Sequence, residues 1–192
     1  MRLIVGMTGA SGVIYGVRLL QILKDFDCIE THLIVSEVGK KILKLETDYT
    51  YEDLAKMADF VYDEDDLFAP PSSGSSRFDA MVIIPCSMKT LAAISQGFSH
   101  NLITRAADVM MKEGRKLVIV PRETPLNGVH IENMLRLSRE GVSIVFAAPA
   151  FYHRPKTLMD VVDFVVGKVL DRLGIEHNLY ERWERKGGGS DA

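Results

Sequence analysis

Short apolar runs separated by helix-like segments are the feature that most constrains the fold of this chain. The runs are rich in Val, Ile and Leu, and most of them lack the alternation of a half-solvated strand. Such runs are typical of strands that are buried on both faces in a parallel sheet. The sequence therefore predicts an α/β fold with helices on both faces of a parallel sheet. The predicted strands are Arg2–Met7, Ile29–Val35, a short edge strand Phe60–Tyr62, Asp79–Pro85, Lys116–Val120 and a core strand Val142–Ala147.

The segments between these runs have helical periodicity, and several begin at small polar residues that favour helix caps. No internal repeat and no second domain is visible. Residues 1–179 are therefore predicted to form one domain, followed by a charged, Gly-rich tail, 180–192, whose last residues we expect to be disordered. The predicted helices are Val13–Lys24, Glu37–Glu46, Tyr51–Met57, one that ends near Gln96, Leu102–Glu113, Gly128–Arg139 and one capped by Thr157 that ends near Leu173.

Composition narrows the class of function. The net charge of −3 over 192 residues gives no general attraction for nucleic acid, and no apolar run has the length needed to cross a membrane. Cys28 and Cys86 form no CxxC pair, and the five histidines show no ligand spacing, so no metal site is expected. A reduced, cytoplasmic setting is the default expectation.

Three of the predicted strands end in a turn of small or hydroxyl residues that starts a helix. These turns contain Gly9, Ala10 and Ser11, then Ser36, and then the run Ser87–Thr90. A helix N-terminus presents free backbone N–H groups and the positive end of its dipole, which together attract a phosphate. Because the carboxyl ends of parallel strands share one sheet edge, we expect the turns to form one site. For any single turn, a capped helix with no ligand remains an alternative.

Arg122 and Glu123 follow another predicted strand and lie between two prolines that restrict the backbone. The arginine can hold a phosphate or a carbonyl oxygen, and the glutamate can transfer protons. A structural ion pair is the alternative. Lys112, Tyr152 and Lys168 are further donors that could gather a second anion. A carboxylate among several cations favours charge-assisted group transfer over covalent catalysis. The Ser-rich segment Phe68–Arg77 is predicted to be a loop, either a plain connection or a lid.

Several motifs together resemble the UbiX-like flavin prenyltransferases from the first strand to the last helix. They are Met7-Thr-Gly-Ala-Ser-Gly12, Pro85-Cys-Ser-Met-Lys-Thr90, Asn101-Leu-Ile-Thr-Arg-Ala-Ala-Asp108, Val120-Pro-Arg-Glu-Thr-Pro-Leu-Asn127, Asn133-Met-Leu and Pro149-Ala-Phe-Tyr-His-Arg-Pro155. The resemblance implies a single-domain, three-layer, flavodoxin-like Rossmann sandwich that binds FMN. It also implies transfer of a dimethylallyl group from dimethylallyl phosphate to N5 and C6 of reduced FMN, without a metal. The product would serve UbiD-type decarboxylases, and the subunits would form a large homo-oligomer, commonly a dodecamer.

The same resemblance assigns roles to residues of this chain. The implied FMN contacts are Gly9, Ala10, Ser11, Ser36, Ser87, Met88, Lys89, Thr90 and Arg122. Glu123 is the implied proton-handling group, and Ser11 and Glu46 join it in the predicted catalytic set. Tyr152 and Lys168 are the implied contacts of dimethylallyl phosphate. Lys112 and Arg105 match further positions around that phosphate, and we expect them, with Glu46, to be shared across a subunit interface.

Two departures from the family pattern and three alternatives accompany this interpretation. Many members have Lys-Glu-Arg-Arg where this chain has Lys112-Glu-Gly-Arg115, and many have an aromatic residue near the position of Ser75 and Ser76, where this chain has none.

The closest alternative is an FMN-dependent cysteine decarboxylase, whose turn resembles Pro-Ala-Ser-Ala-Asn-Thr. Met88 and Lys89 at the corresponding turn of this chain favour the prenyltransferase. The others are a non-catalytic FMN carrier and a direct decarboxylase of aromatic acids.

Overall fold

In the part of the chain that the structure describes, six parallel strands form one sheet, and its order places the three predicted ligand turns side by side. The computed structural model describes residues 1–183, so the end of the predicted tail, 184–192, lies outside the described residues. The strand order is β3-β2-β1-β4-β5-β6, and every pairing is parallel, which confirms the predicted fold class. The strands are β1 (Arg2–Met7), β2 (Glu30–Val35), β3 (Phe60–Tyr62), β4 (Ala80–Cys86), β5 (Lys116–Pro121) and β6 (Ser143–Ile144).

Within residues 1–183, six helices lie between these strands and a seventh follows β6, close to the predicted positions. Between α3 and β4 the predicted loop contains two 3₁₀ turns, at Pro70–Ser72 and Gly74–Ser76. The helices are α1 (Ile14–Leu23), α2 (Glu37–Glu46), α3 (Tyr51–Ala55), α4 (Met88–Ser95), α5 (Leu102–Lys112), α6 (Gly128–Arg139) and α7 (Leu158–Leu173). No helix within residues 1–183 is both long and apolar enough to span a bilayer.

The sheet separates two apolar layers. Alternate residues of β1 face opposite ways: Leu3 and Val5 pack with α1 and α7, whereas Ile4 packs with α4, α5 and α6. All three side chains are almost fully buried, as expected for a central strand covered on both faces. This arrangement directs the carboxyl ends of β1, β2, β4 and β5, and the turns that follow them, to one edge of the sheet.

The last strand differs from its prediction. The sequence favours a core strand over Val142–Ala147, but the regular ladder covers only Ser143–Ile144, at the sheet edge. The backbone N–H groups of Val145 and Ala147 still donate to β5, at 2.9 and 3.1 Å. The chain therefore stays beside β5 while it leaves the regular strand. Apolar composition cannot distinguish an edge from a centre, because it does not record a missing neighbour.

Candidate active site

A buried threonine ties the turn after β1 to the turn after β4. The Thr8 hydroxyl donates to the carbonyl oxygen of Pro85 at 3.0 Å and accepts from the backbone N–H of Ser87 at 2.8 Å. The backbone N–H of Thr8 donates to the same Pro85 oxygen at 3.1 Å. The strand order reverses between β1 and β4, which makes this the switch point of the sheet, where open α/β folds bind ligands. Two of the three predicted turns therefore form one surface.

The first turn of α4 could hold an anion through its backbone, because its side-chain hydroxyls already bond each other. Ser87 caps the helix, because its Oγ accepts from the backbone N–H of Thr90 at 3.2 Å and donates to the Thr90 hydroxyl at 3.0 Å. The backbone N–H groups of Met88 and Lys89 belong to this first turn and have no acceptor inside the helix. The cap thus fixes the direction in which these two groups point.

The N-terminus of α1 is held by a carboxylate of the predicted catalytic set. Glu46, at the end of α2, accepts hydrogen bonds from the backbone N–H groups of Gly12 at 2.8 Å and Val13 at 3.4 Å. Gly12 has φ +96°, a left-handed conformation that favours glycine. The structure therefore places the Glu46 carboxylate on the backbone N–H of Gly12, the residue after Ser11, at the edge of the sheet where the ligand turns meet.

The N-terminus of α2 also receives a carboxylate. Ser36 is buried and caps this helix, accepting from the backbone N–H of Gly39 at 3.0 Å. Glu64 accepts from the backbone N–H of Glu37 at 2.6 Å and from the Asn101 side chain at 2.6 Å. Within residues 1–183, α4 is therefore the helix of the three whose first turn meets no carboxylate, and it is the best placed of them for a phosphate.

Arg122 joins the same surface from the end of β5. Its Nε donates to the carbonyl oxygen of Ser11 at 3.1 Å, and its backbone N–H donates to the carbonyl oxygen of Cys86 at 3.4 Å. Tyr15 lies nearby: burial raises the pKa of this phenol, and the Arg122 charge offsets part of that increase. Glu123 is half-buried, and its carboxylate accepts from the backbone N–H of Thr124 at 3.0 Å.

Tyr152 and Lys168 form a second group around α7. The Tyr152 ring packs edge-on against Phe164 at 5.9 Å and Trp183 at 5.3 Å, measured between ring centroids. The Lys168 ammonium lies 5.5 Å from the Phe164 ring centroid. A hydrogen bond with Tyr180 is the main reason that the pKa of Lys168 is raised, and the nearby Tyr152 phenol adds to it. Lys168 therefore carries its positive charge at neutral pH.

Arg105 and Lys112 are not brought to these groups within one chain. Both lie on α5, where Arg105 Nε donates to the carbonyl oxygen of Ser72 at 3.1 Å and Lys112 pairs with Glu113. Lys112 ends α5, four residues before β5 begins, so it lies near the amino edge of the sheet. Glu123 follows the carboxyl end of β5, and six residues of parallel strand span about 17 Å. These two predicted site residues are therefore at opposite edges.

Three side chains that hold these groups in place were missed by the sequence reasoning. Thr8 lay inside a quoted motif, Glu64 inside an acidic stretch and Asp171 inside the last helix. Only the Thr8 hydroxyl, next to the glycine turn, offered a signal that could have been used. The contacts of the other two depend on how distant segments pack, since Glu64 and Asn101 are 37 residues apart.

The donors that line the site fit an anionic flavin such as FMN. Backbone N–H groups at helix N-termini, small residues and Arg122 suit a phosphate and the polar edge of a ring system. Burial raises the pKa of the Cys86 thiol far above its usual range, which disfavours the thiolate that a nucleophilic cysteine needs. No group of three or more potential metal ligands is present within the described residues, and the metal-free chemistry stays a prediction.

Comparisons with known proteins identify the family of this chain. A family model described as Flavoprotein matches residues 1–170. The flavin prenyltransferase UbiX of Methanocaldococcus jannaschii is 52% identical over 95% of this chain and 98% of its own length. A crystal structure of a dodecameric FMN-dependent UbiX-like decarboxylase from Escherichia coli O157:H7 is 54% identical, with a TM-score of 0.95, and the match covers 96% of this chain and 100% of that chain.

A second solved structure is AnUbiX (PadA1) in complex with FMN and dimethylallyl pyrophosphate. It is 45% identical, has a TM-score of 0.93, and the match covers 96% of this chain and 97% of that chain. The match to each of these relatives extends over nearly all of the chain. The resemblance found in the sequence is thus confirmed, and the chain belongs to the UbiX-like flavin prenyltransferases of the Flavoprotein family.

Proposed function

We propose that this chain transfers a dimethylallyl group from dimethylallyl phosphate to N5 and C6 of reduced FMN. The observation that carries the proposal is the convergence of Ser11, Ser87 and Arg122 on one sheet edge. Arg122 bonds to the carbonyl oxygen of Ser11, while Thr8 joins the adjacent Ser87 turn to β1. Membership of the flavin prenyltransferases supplies the reaction class.

The FMN side of the site would use the turns after β1, β2 and β4. The free first-turn N–H groups of α4 would hold the phosphate, and the small residues of the β1 turn would let the flavin approach the backbone closely. When bound, FMN supplies the ring atoms that accept the prenyl group. The proposed contacts are Gly9, Ala10, Ser11, Ser36, Ser87, Met88, Lys89, Thr90 and Arg122.

Tyr152 and Lys168 would bind the phosphate of the prenyl donor. Departure of phosphate leaves negative charge on the leaving group, and preorganised cationic and hydroxyl donors stabilise such charge. Glu123 would accept the proton that is lost when the prenyl group is joined, because it is the carboxylate that follows Arg122 at this edge. Ser11 and Glu46 would assist at the same edge, where Glu46 already touches the N–H of Gly12.

A neighbouring subunit would supply Lys112 and Arg105. Within one chain Lys112 lies at the edge opposite to Glu123, so a complete site with both groups requires a second copy. A homo-oligomer, with a dodecamer as the expected form, would provide it. The prenylated FMN would pass to a UbiD-type decarboxylase, and we place the reaction in the cytoplasm.

The mass of the flavin tests the proposed reaction directly. The purified protein is incubated without oxygen with reduced FMN and either dimethylallyl phosphate or its diphosphate, and the flavin is analysed by mass spectrometry. We expect a mass increase that corresponds to one dimethylallyl group. Unchanged flavin, together with release of CO₂ from an aromatic acid or from a peptide cysteine, would instead support a decarboxylase.

Glu123→Gln tests the assigned proton acceptor. The amide keeps the size of the side chain but accepts a proton poorly, so the variant should bind FMN normally and lose most of its turnover, by about a hundredfold or more. Glu132→Gln on the exposed part of α6 makes the same chemical change away from the site and is the control. Wild-type turnover in Glu123→Gln would remove this residue from the mechanism.

A further inference from the structure

Asp171 on α7 gathers four side chains around one carboxylate. Its oxygens accept from the Tyr180 hydroxyl at 2.7 Å, from Arg182 Nη2 at 2.8 Å and from His177 Nε2 at 3.2 Å. Lys168 Nζ lies 3.8 Å away. Three of these four partners come from the segment 177–183, which follows α7, and the fourth is the proposed donor-phosphate ligand. None of the roles assigned above uses Asp171.

The segment 177–183 lies against the face of α7 that carries Lys168 and Phe164. Tyr180 is buried against Phe164, with 4.9 Å between ring centroids, and a side chain at Gly167 would come within 2.5 Å of the Tyr180 ring. The absence of a side chain at Gly167 therefore permits this close packing. At the end of the segment Trp183 packs on Tyr152 at 5.3 Å. Tyr180, Arg182 and Trp183, the first residues of the predicted tail, thus contact the domain.

The charges of the cluster leave room for an anion. Lys168 and Arg182 bring two permanent positive charges to the single negative charge of Asp171. Burial by itself raises the pKa of Asp171, but hydrogen bonds from Arg182 and Tyr180 outweigh burial and hold this pKa at about 2. Asp171 is therefore ionised at neutral pH, and one positive charge is left to face an incoming phosphate.

We propose that Asp171 is a positioning residue, which holds the Lys168 ammonium beside Tyr152 and fastens the segment 177–183 to α7 to complete the donor-phosphate pocket. This role rests on the proposed function. When a phosphate binds Lys168, Arg182 and Tyr180 keep the Asp171 carboxylate paired, so the segment stays on α7. Lys168 thus stays beside Tyr152 and contacts the phosphate from there.

Steady-state kinetics test the positioning role. Asp171→Ala should raise the KM for dimethylallyl phosphate by about tenfold, the effect of one lost contact of roughly 1.4 kcal/mol, and leave the affinity for FMN unchanged. Asp171→Glu should restore most of the donor affinity. Asp163→Ala is the matched control, because Asp163 lies on the same helix and pairs with Arg18 at 2.6 Å but does not touch the segment. It should lose stability without a change in the donor KM.

The single tryptophan gives a readout that does not depend on activity. Trp183 is the only tryptophan in the sequence, so fluorescence anisotropy of the FMN-free protein reports how firmly the segment is held. Anisotropy should fall in Asp171→Ala and stay at the wild-type value in Asp163→Ala. Unchanged anisotropy, or an unchanged donor KM in an active Asp171→Ala protein, would overturn the positioning role. A wild-type protein without transfer activity would overturn the proposed function and, with it, this role.

Discussion

At the scale of single residues, the Thr8 hydroxyl links the turn after β1 to the turn after β4. It satisfies the N–H of Ser87, a group at the start of α4 that would otherwise be buried without an acceptor. The Pro85 oxygen is less dependent on it, because the backbone N–H of Thr8 also donates to that oxygen. The hydroxyl therefore acts mainly on the position of the Ser87 turn, on which the proposed phosphate contacts depend.

Thr8→Val should weaken FMN binding as well as stability. Valine has nearly the same shape but leaves the Ser87 N–H unpaired, which costs about 1–3 kcal/mol in the free energy of unfolding. FMN titration and urea unfolding measure the two effects. Thr31→Val is the control, since Thr31 is equally buried and bonds Asp59 at the amino edge of the sheet. FMN affinity that falls no further in Thr8→Val than in Thr31→Val would contradict the assigned role.

His32 is a buried titratable group far from the proposed chemistry. It stacks on Phe60 at 4.8 Å and contacts Tyr62 at 2.9 Å and Glu30 at 2.7 Å. Burial lowers the pKa of His32 below 6.5, and the Glu30 carboxylate offsets only part of this effect. Since the unfolded chain takes up the proton at higher pH than the folded chain does, stability should decrease as pH falls below 6.5.

His32→Gln should reduce this pH dependence. The difference in the urea midpoint between pH 7.5 and pH 5.5 should be smaller in the variant than in the wild type, although the variant is less stable at both values. His100→Gln removes an exposed histidine and should leave the difference unchanged. An equal pH dependence in wild type and His32→Gln would show that folding does not lower the pKa of His32.

At the scale of elements, α5 and its neighbours hold the Ser-rich loop more firmly than a lid requires. Three arginines donate to alternate carbonyl oxygens of the loop: Arg105 to Ser72, Arg115 to Gly74 and Arg2 to Ser76. The loop lies along α5 and approaches Glu113, not the ligand turns of its own chain. It is therefore an ordered loop packed on α5, and any contact with a flavin would be with that of another subunit.

Hydrogen exchange can measure how firmly this loop is held. The N–H groups of Ser73 and Ser76 are bonded within the loop, so they exchange only when it opens. Arg115→Ala removes one charged hydrogen bond and should speed their exchange by about tenfold, which corresponds to ~1.4 kcal/mol. Arg136→Ala removes an arginine that bonds Gln96 on another element and is the control. Equal exchange in both variants would show that Arg115 does not fasten the loop.

Local patterns predicted most elements, whereas long-range contacts had to come from the structure. The caps at Ser36, Ser87 and Thr157 could be predicted, because a hydroxyl before an apolar run has a local partner three residues on. The position of the ligand turns followed from the parallel sheet. The carboxylate of Glu46 on the Gly12 N–H could not be derived, since 34 residues and the packing of α2 separate them.

At the scale of the whole molecule, the sheet itself divides the proposed site. Glu123 follows the carboxyl end of β5, and Lys112 precedes its amino end, so no side-chain rearrangement could bring them together in one chain. If both groups act on the same substrates, Lys112 has to come from a neighbour. The proposed oligomer is then a condition of catalysis and not only a source of stability.

Mixed oligomers decide whether the site is shared. Lys112→Ala and Glu123→Gln should each be nearly inactive as pure proteins, by the loss of a phosphate contact and of the proton acceptor. If the two variants are unfolded, mixed in equal amounts and refolded together, a neighbour pair can combine an intact Glu123 from one chain with an intact Lys112 from the other. Random assembly gives this combination in about one site in four, so about a quarter of wild-type activity should return.

Mixing the variants after separate refolding is the control and should restore no activity while subunits do not exchange. Failure to recover activity from hybrids that form wild-type-sized oligomers would mean that Lys112 and Glu123 do not meet across an interface.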